Sequence, residues 1–452
     1  MPDTKLLDRF LFMGTAALLI LAGVGMECRA VTHHAIHLRL PGLVCILAGV
    51  VFAAALYLPA SRIRNLLKTT MIVLINTVLL MGVVEAGCRV AGVDFNALLR
   101  VREKNEAFPF YYRAPSKPVG DVFFMRNGPD SWTGRPLSVM LKNHKGTDAA
   151  YADEKEVTIR YDRDGFRNPE DLADWDIAVA GDSFTESGYL DESALFTTVL
   201  GRSLGLRVKN LGVSDTGNLS HACYLEKFGK APSCRTALLA FFEGNDIEDN
   251  LAEVRDLSRF HSTGQRPDRE IRREPSIIRT LYRLVRDIRQ VEFRQRSYAN
   301  ADFEAAGKRV PVTIADAPPA PDQLDGETLN ALDLALDTWV GACGRNGVEP
   351  WFLYIPCKRR VLHGHISRHA DYPQPDWELN SLPEFMREKC TARKIRFVDA
   401  TPALAEQAAG GVLPYNSIYD THLNVEGHRK VGQTLAAAMK KSPASIAAEK
   451  QR

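Results

Sequence analysis

From Asp176 onward, short unbroken apolar runs alternate with stretches in which apolar residues return every three or four positions. The runs Ile177 to Ala180, Val208 to Leu211, Ala237 to Phe242, Trp351 to Ile355 and Ile395 to Val398 have the length and continuous apolar character of strands buried on both faces. Helical spacing fills the gaps, near residues 191–204, 219–229, 327–343, 382–391 and 425–440. This alternation is the signature of βαβ units and predicts an α/β domain over residues 176–441, a central parallel sheet of five strands in a three-layer sandwich. Residues 250–326 interrupt the pattern and end in the loop-like Ala315-Asp-Ala-Pro-Pro-Ala-Pro-Asp322, so they read as a helical insertion or cap.

The first 95 residues follow a different pattern. Phe10 to Met26, Leu40 to Ala60 and Thr69 to Val84 carry no charged residue. A helix needs roughly 20 apolar residues to cross the hydrocarbon core, which the first two runs satisfy and the third reaches by continuing through Glu85 to Cys88. A buried helix or a cleaved signal peptide would explain one such run but not three, and Met26-Glu-Cys-Arg-Ala30 is no cleavage site. Three transmembrane helices are expected. Lys5 and Arg9 before the first run, and Arg62, Arg64 and Lys68 between the second and third, place those segments in the cytoplasm, although Arg29 and Arg39 in the other loop weaken the bias. An odd number of spans then puts the remainder on the extracytoplasmic side of a plasma (inner) membrane. Residues 96–175 form a lead-in segment without sustained periodicity, and residues 442–452 a tail.

A net charge of +2 over 452 residues implies no nucleic-acid partner. Charge is nevertheless clustered: ten arginines and five acids lie between Arg266 and Arg296, with Ile277, Ile278, Leu281, Leu284, Val285, Ile288 and Val291 at helical spacing. A solvated helix face over the core is favoured there over a surface for membrane lipid or an anionic glycan. Of eight cysteines, Cys28, Cys45 and Cys88 fall in or near the apolar runs. Cys223, Cys234, Cys343, Cys357 and Cys390 lie beyond them, where pairing of Cys223 with Cys234 or Cys343 with Cys390 is conceivable but not fixed by sequence. No Cys-x-x-Cys or His-rich cluster suggests a metal, and no cofactor is implied.

The chemistry-bearing residues follow strand ends. Gly181-Asp182-Ser183 closes the first apolar run of the domain, where a strand must turn into a helix. A serine hydroxyl needs an adjacent base, a carboxylate to orient it and donors for the developing oxyanion. Gly212 and Asn245 each follow a later run, and Asp420 and His422 stand just before the last helical pattern, with His428 on it. Singly, each residue has an ordinary use: Ser183 as a helix cap, Gly212 as a turn glycine, Asn245 as a turn stabiliser. In open α/β sheets ligands bind beyond the carboxyl ends of the strands, and an ordered set on that rim points to one site.

Taken together, these motifs resemble the SGNH, or GDSL-type, hydrolase superfamily over about residues 155–440. The resemblance implies a flavodoxin-like sandwich with Ser183 as nucleophile, His422 as general base and Asp420 orienting it. It assigns the oxyanion donors to the N–H groups of Ser183 and Gly212 and the side-chain amide of Asn245. The last pair is spaced Asp-x-His rather than the family's frequent Asp-x-x-His, as in membrane-associated relatives acting on cell-surface polysaccharides. Asp164-Gly-Phe-Arg-Asn168 and Pro356-x-Lys358 are similar to segments of such relatives and make Arg167 and Lys358 candidate substrate contacts, with a structural Arg167 and a surface Lys358 the plainer readings. The expected activity is a membrane-anchored serine esterase acting on acyl groups of a cell-envelope glycan. Neighbouring readings are a polysaccharide O-acetyltransferase fed by a membrane acyl-donor partner, a lipase or thioesterase, and a catalytically silent polymer-binding protein.

Overall fold

The computed structural model describes residues 61–91, 93, 116–137, 153–266, 276–277, 299–315, 317–368 and 377–441. The predicted spans at 10–26 and 40–60, and nearly all of the arginine-rich stretch, lie outside the described residues. The chain divides into two compact units, residues 1–93 with 274–281, and residues 94–273 with 282–452.

In the first unit the third predicted span falls on a 30-residue helix, Ser61–Val90. Its Ile72, Val73, Leu79, Leu80, Val83 and Val84 are exposed, and Glu85 pairs with Arg89 one turn on at 2.8 Å. Among the described residues, no helix is long and apolar enough to cross a membrane.

The second unit is built on a five-stranded parallel sheet: β1 (Ile177–Gly181), β2 (Val208–Gly212), β3 (Thr236–Phe242), β4 (Glu349–Ile355) and β5 (Arg396–Asp399), in the order β5-β4-β3-β1-β2. That is the flavodoxin-like order, whose switch point lies between β1 and β3. Successive residues of a strand face opposite layers, and the core divides accordingly. Ile177, Val179, Leu238, Ala240, Leu353 and Ile355 pack with helices α2 (Phe196–Leu204) and α7 (Val425–Lys440), whereas Ala178, Ala180, Leu239, Phe241, Phe352 and Tyr354 pack with α3 (Asn218–Phe228), α5 (Gly326–Asn346) and α6 (Leu382–Ala392). Two further helices border the site: α1 (Ser183–Glu186), directly after β1, and α4 (Asp246–Thr263), after β3.

Three features depart from expectation. The lead-in segment holds two antiparallel strand pairs, Ser116–Val119 with Phe123–Arg126 and Asp130–Gly134 with Val157–Tyr161. The described part of the 250–326 insertion is not wholly helical: Ala301–Ala305 and Lys308–Val312 form a hairpin joined by Ile366–Arg368. The cysteines proposed to pair, Cys223, Cys234, Cys343 and Cys390, are all free thiols, the last three buried in the core.

Candidate active site

The sharp turn after β1 requires two glycines. A Cβ on Gly181 would lie 2.2 Å from Thr185 Oγ1 and 3.0 Å from Ala240 Cβ, and one on Gly212 would lie 2.5 Å from Glu186 N. Their absence lets α1 fold back tightly over β2. Asp182 caps α1 by accepting the Phe184 N–H at 2.9 Å, and Ser187 ends it in a left-handed conformation (φ 44). Ser183 is thus the first helical residue, where a backbone N–H has no intrahelical acceptor.

Ser183 Oγ lies 2.8 Å from His422 Nε2, and His422 Nδ1 lies 2.5 Å from Asp420 Oδ1. A carboxylate only accepts, so Nδ1 carries the ring proton and Nε2 is left to accept from the serine hydroxyl. Asp420 also accepts the His422 backbone N–H at 3.0 Å and the Asn416 amide at 2.9 Å. Burial alone would raise its pKa; the facing His422 charge, the His422 hydrogen bonds and Asn416 outweigh burial and hold it below the ordinary aspartate value. The imidazole is partly open, with 16% of its side chain exposed, so solvent can reach one side of an otherwise packed ring. Phe184 and Tyr189 flank it, at centroid separations of 4.6 and 5.5 Å.

The loop bearing Asp420 and His422 is braced from three sides. Lys358 Nζ donates to the Asn416 and Ser417 carbonyls at 2.6 Å each, Thr313 Oγ1 accepts the Tyr419 N–H at 2.7 Å, and the Tyr415 hydroxyl donates to the Pro356 carbonyl at 2.8 Å. Asn424 then caps α7, accepting the Glu426 and Gly427 N–H groups. Lys358 is therefore neither at the surface nor free for a ligand: it is fully buried and holds the histidine loop. Arg167 is also buried, with Nη2 donating to the Leu190 carbonyl at 2.8 Å. Burial lowers its pKa.

His428 sits on α7 and cannot serve as the base. Its Nδ1 accepts the Phe196 N–H at 3.1 Å, so Nε2 bears the proton and meets Ser187 Oγ at 3.0 Å. Burial, aided by the charges of His422 and Arg167, pushes its pKa down to about 3.

The three assigned oxyanion donors differ in availability. The Gly212 N–H is donated to Asn210 Oδ1 at 2.8 Å, so its glycine identity answers to the close approach of α1. The Asn245 amide donates to Asp249 Oδ2 at 2.7 Å and is hydrogen-bonded to Asp182. Burial raises the Asp182 carboxyl, and Asp246 is raised further by burial and then by the charges of Asp182 and Asp249. Among the described residues no group of acids, histidines and cysteines could hold a metal ion.

No family model matches the chain, and no curated protein is significantly similar to it. Solved structures with likeness include a G-D-S-L family protein from Desulfitobacterium hafniense DCB-2, 12% identical, covering 58% of this chain and 98% of that one with a TM-score of 0.29. A carbohydrate esterase family 2 enzyme with a carbohydrate-binding domain from Corynascus thermopiles is 12% identical, covering 63% of this chain and 70% of that one at 0.29. An acetyl xylan esterase from Butyrivibrio proteoclasticus is 9% identical, covering 62% and 67%, also at 0.29. These are distant likenesses, and what the site can do follows from its own atoms.

Sequence reading missed Glu186, three residues after Ser183, which is fully buried and bonded to Arg126, Tyr161 and Ser214. It also missed Glu253 of α4, which accepts the Gly217, Leu219 and Ser220 N–H groups at the start of α3. Nothing in the local sequence of either glutamate distinguishes it from a surface acid.

Proposed function

We propose that this protein is a serine esterase of the SGNH type, anchored in a membrane and acting outside the cytoplasm on small O-acyl groups of a cell-envelope carbohydrate. The observation that carries the chemistry is the continuous chain Ser183 Oγ, His422 Nε2, His422 Nδ1, Asp420 Oδ1, with contacts of 2.8 and 2.5 Å. Ser183 Oγ attacks the ester carbonyl as its proton passes to His422 Nε2, and Asp420 stabilises the imidazolium so formed. The tetrahedral oxyanion is met by the Ser183 N–H at the head of α1. The Asn245 amide becomes the second donor by exchanging the Asp182 carboxyl for the oxyanion. Collapse expels the alcohol, which takes the proton from His422, and water attacks the acyl-enzyme through the same base.

Membrane anchoring is supported by the three charge-free runs and the basic residues that flank them. The choice of a short acyl group on a glycan rests on the resemblance of the Asp420-x-His422 spacing to that of membrane-associated superfamily members acting on cell-surface polysaccharides. The purified protein in detergent is expected to release acetate from an O-acetylated envelope glycan and from p-nitrophenyl acetate, and Ser183→Ala is expected to release none. Fatty acid released in preference to acetate would favour the lipase reading. Acetate moved to an added oligosaccharide rather than to water would favour transfer.

A further inference from the structure

We propose that Glu186 and Arg126 are positioning residues for the reaction at Ser183, a buried charge pair locking the nucleophile helix to the turn after β2. The inference rests on the serine-esterase reading and adds to it a role for the lead-in segment.

Glu186 ends the helix that Ser183 begins, and its carboxylate is surrounded by donors from three parts of the chain. Arg126, at the end of the strand Phe123–Arg126, presents Nε to one carboxylate oxygen and Nη2 to the other, the latter at 3.1 Å. The Tyr161 hydroxyl donates at 2.7 Å. Ser214 donates both its backbone N–H, at 2.6 Å, and its hydroxyl. Ser214 belongs to the turn Val213–Gly217, which leaves β2 at the sheet edge where Ser183 leaves β1, and Asp215 beside it takes a left-handed conformation (φ 60).

These groups form one rigid unit. Glu186, Tyr161 and Arg126 are 0, 2 and 8% exposed, so the pair is shielded from solvent and neither charge can relax into water. Arg126 is itself fixed by backbone packing: a Cβ on Gly165 would lie 2.1 Å from the Arg126 carbonyl oxygen, and one on Gly128 would lie 2.0 Å from that of Asp162. The pair remains ionised. For Glu186, burial acts to raise the pKa but Arg126 and its donors outweigh it, and for Arg126 burial is outweighed by Glu186 and Tyr161.

Buried ion pairs contribute little net stability against well-packed apolar replacements. Their value here is geometric: two bonds from Ser214 to Glu186 hold the turn after β2 against the helix that Ser183 begins before substrate arrives, and reacting geometry is sensitive to shifts on the order of 1 Å.

The test replaces both charges with an apolar pair, Arg126→Met with Glu186→Met, and measures melting temperature, fluorophosphonate labelling of Ser183, and amide exchange at Ser214 and Asp215. The expected result is a melting temperature within a few degrees of the parent, labelling slowed about 10- to 100-fold, kcat lowered at unchanged KM, and faster exchange at both amides. A folded double variant that labels at the parental rate with parental amide protection overturns the proposal. If the double variant does not fold, Glu186→Gln is judged by the same criteria. A parent protein that does not label defeats the esterase reading itself; the lock is then decided by exchange alone, and protection retained in the folded variant defeats it.

Discussion

At the scale of single residues, the site depends on which atom of His422 carries the proton. Asp420 accepts from Nδ1 and from the His422 backbone, so it fixes both tautomer and ring orientation. Asp420→Asn keeps the size of the group but can present an amide donor to Nδ1, turning the proton toward Nε2. The expected outcome is a fall of roughly 10³–10⁴ in kcat with little change in KM, measured by steady-state ester hydrolysis. Ser183, Asp420 and His422 were legible because each occupies a short motif at a boundary between elements. Lys358 and Arg167 were candidate ligand contacts, with a surface Lys358 and a structural Arg167 the plainer readings, and the surface placement of Lys358 fails because sequence shows a cation without its surroundings. One is buried against the carbonyls of Asn416 and Ser417, the other against that of Leu190. Glu186 was not legible at all, since its ion-pair partner lies 60 residues upstream.

At the scale of elements, the strands of the parallel sheet were readable because burial on both faces leaves no polar alternation to confuse with a helix. The small antiparallel pairs were not. Asp130–Gly134 is largely exposed, with a polar composition typical of a loop, and gains strand geometry only by pairing with Val157–Tyr161. The α4 helix was absorbed into the insertion because its acidic first turn, Asp246, Glu248 and Asp249, hid its periodicity. Gly212 illustrates how an element can fix a residue for packing alone. Gly212→Ala retains the backbone N–H but forces a Cβ against the backbone of Glu186, so α1 must move. A loss of roughly 1–3 kcal/mol in denaturant unfolding is expected, accompanied by reduced esterase activity. An unchanged midpoint would show that α1 does not bear on β2 as described.

At the scale of the whole molecule, stability should depend on pH through its buried neutral histidines. His221 and His428 are each lowered by burial from 6.5 to about 3. Near neutrality neither the folded nor the unfolded chain binds a proton at these sites. As pH falls below about 6.5 the unfolded chain takes up protons that the folded one refuses, so stability declines by about 1.4 kcal/mol per pH unit for each histidine until roughly pH 3. Asp420 acts in the same direction at lower pH: its depressed pKa contributes stability above the ordinary aspartate value that is lost as pH falls through its folded value. Replacing His428 with Gln should remove about one proton from the acid slope in pH-dependent chemical denaturation. An unchanged slope would mean that His428 titrates normally in the fold.

The central claim is that Ser183 is a nucleophile activated by His422. Incubation of the folded protein with a fluorophosphonate, followed by peptide mapping, tests it most directly. The account predicts a single stoichiometric adduct on Ser183, absent in Ser183→Ala and strongly slowed in His422→Ala. A folded protein that forms no adduct, or forms it at another residue, would contradict the account.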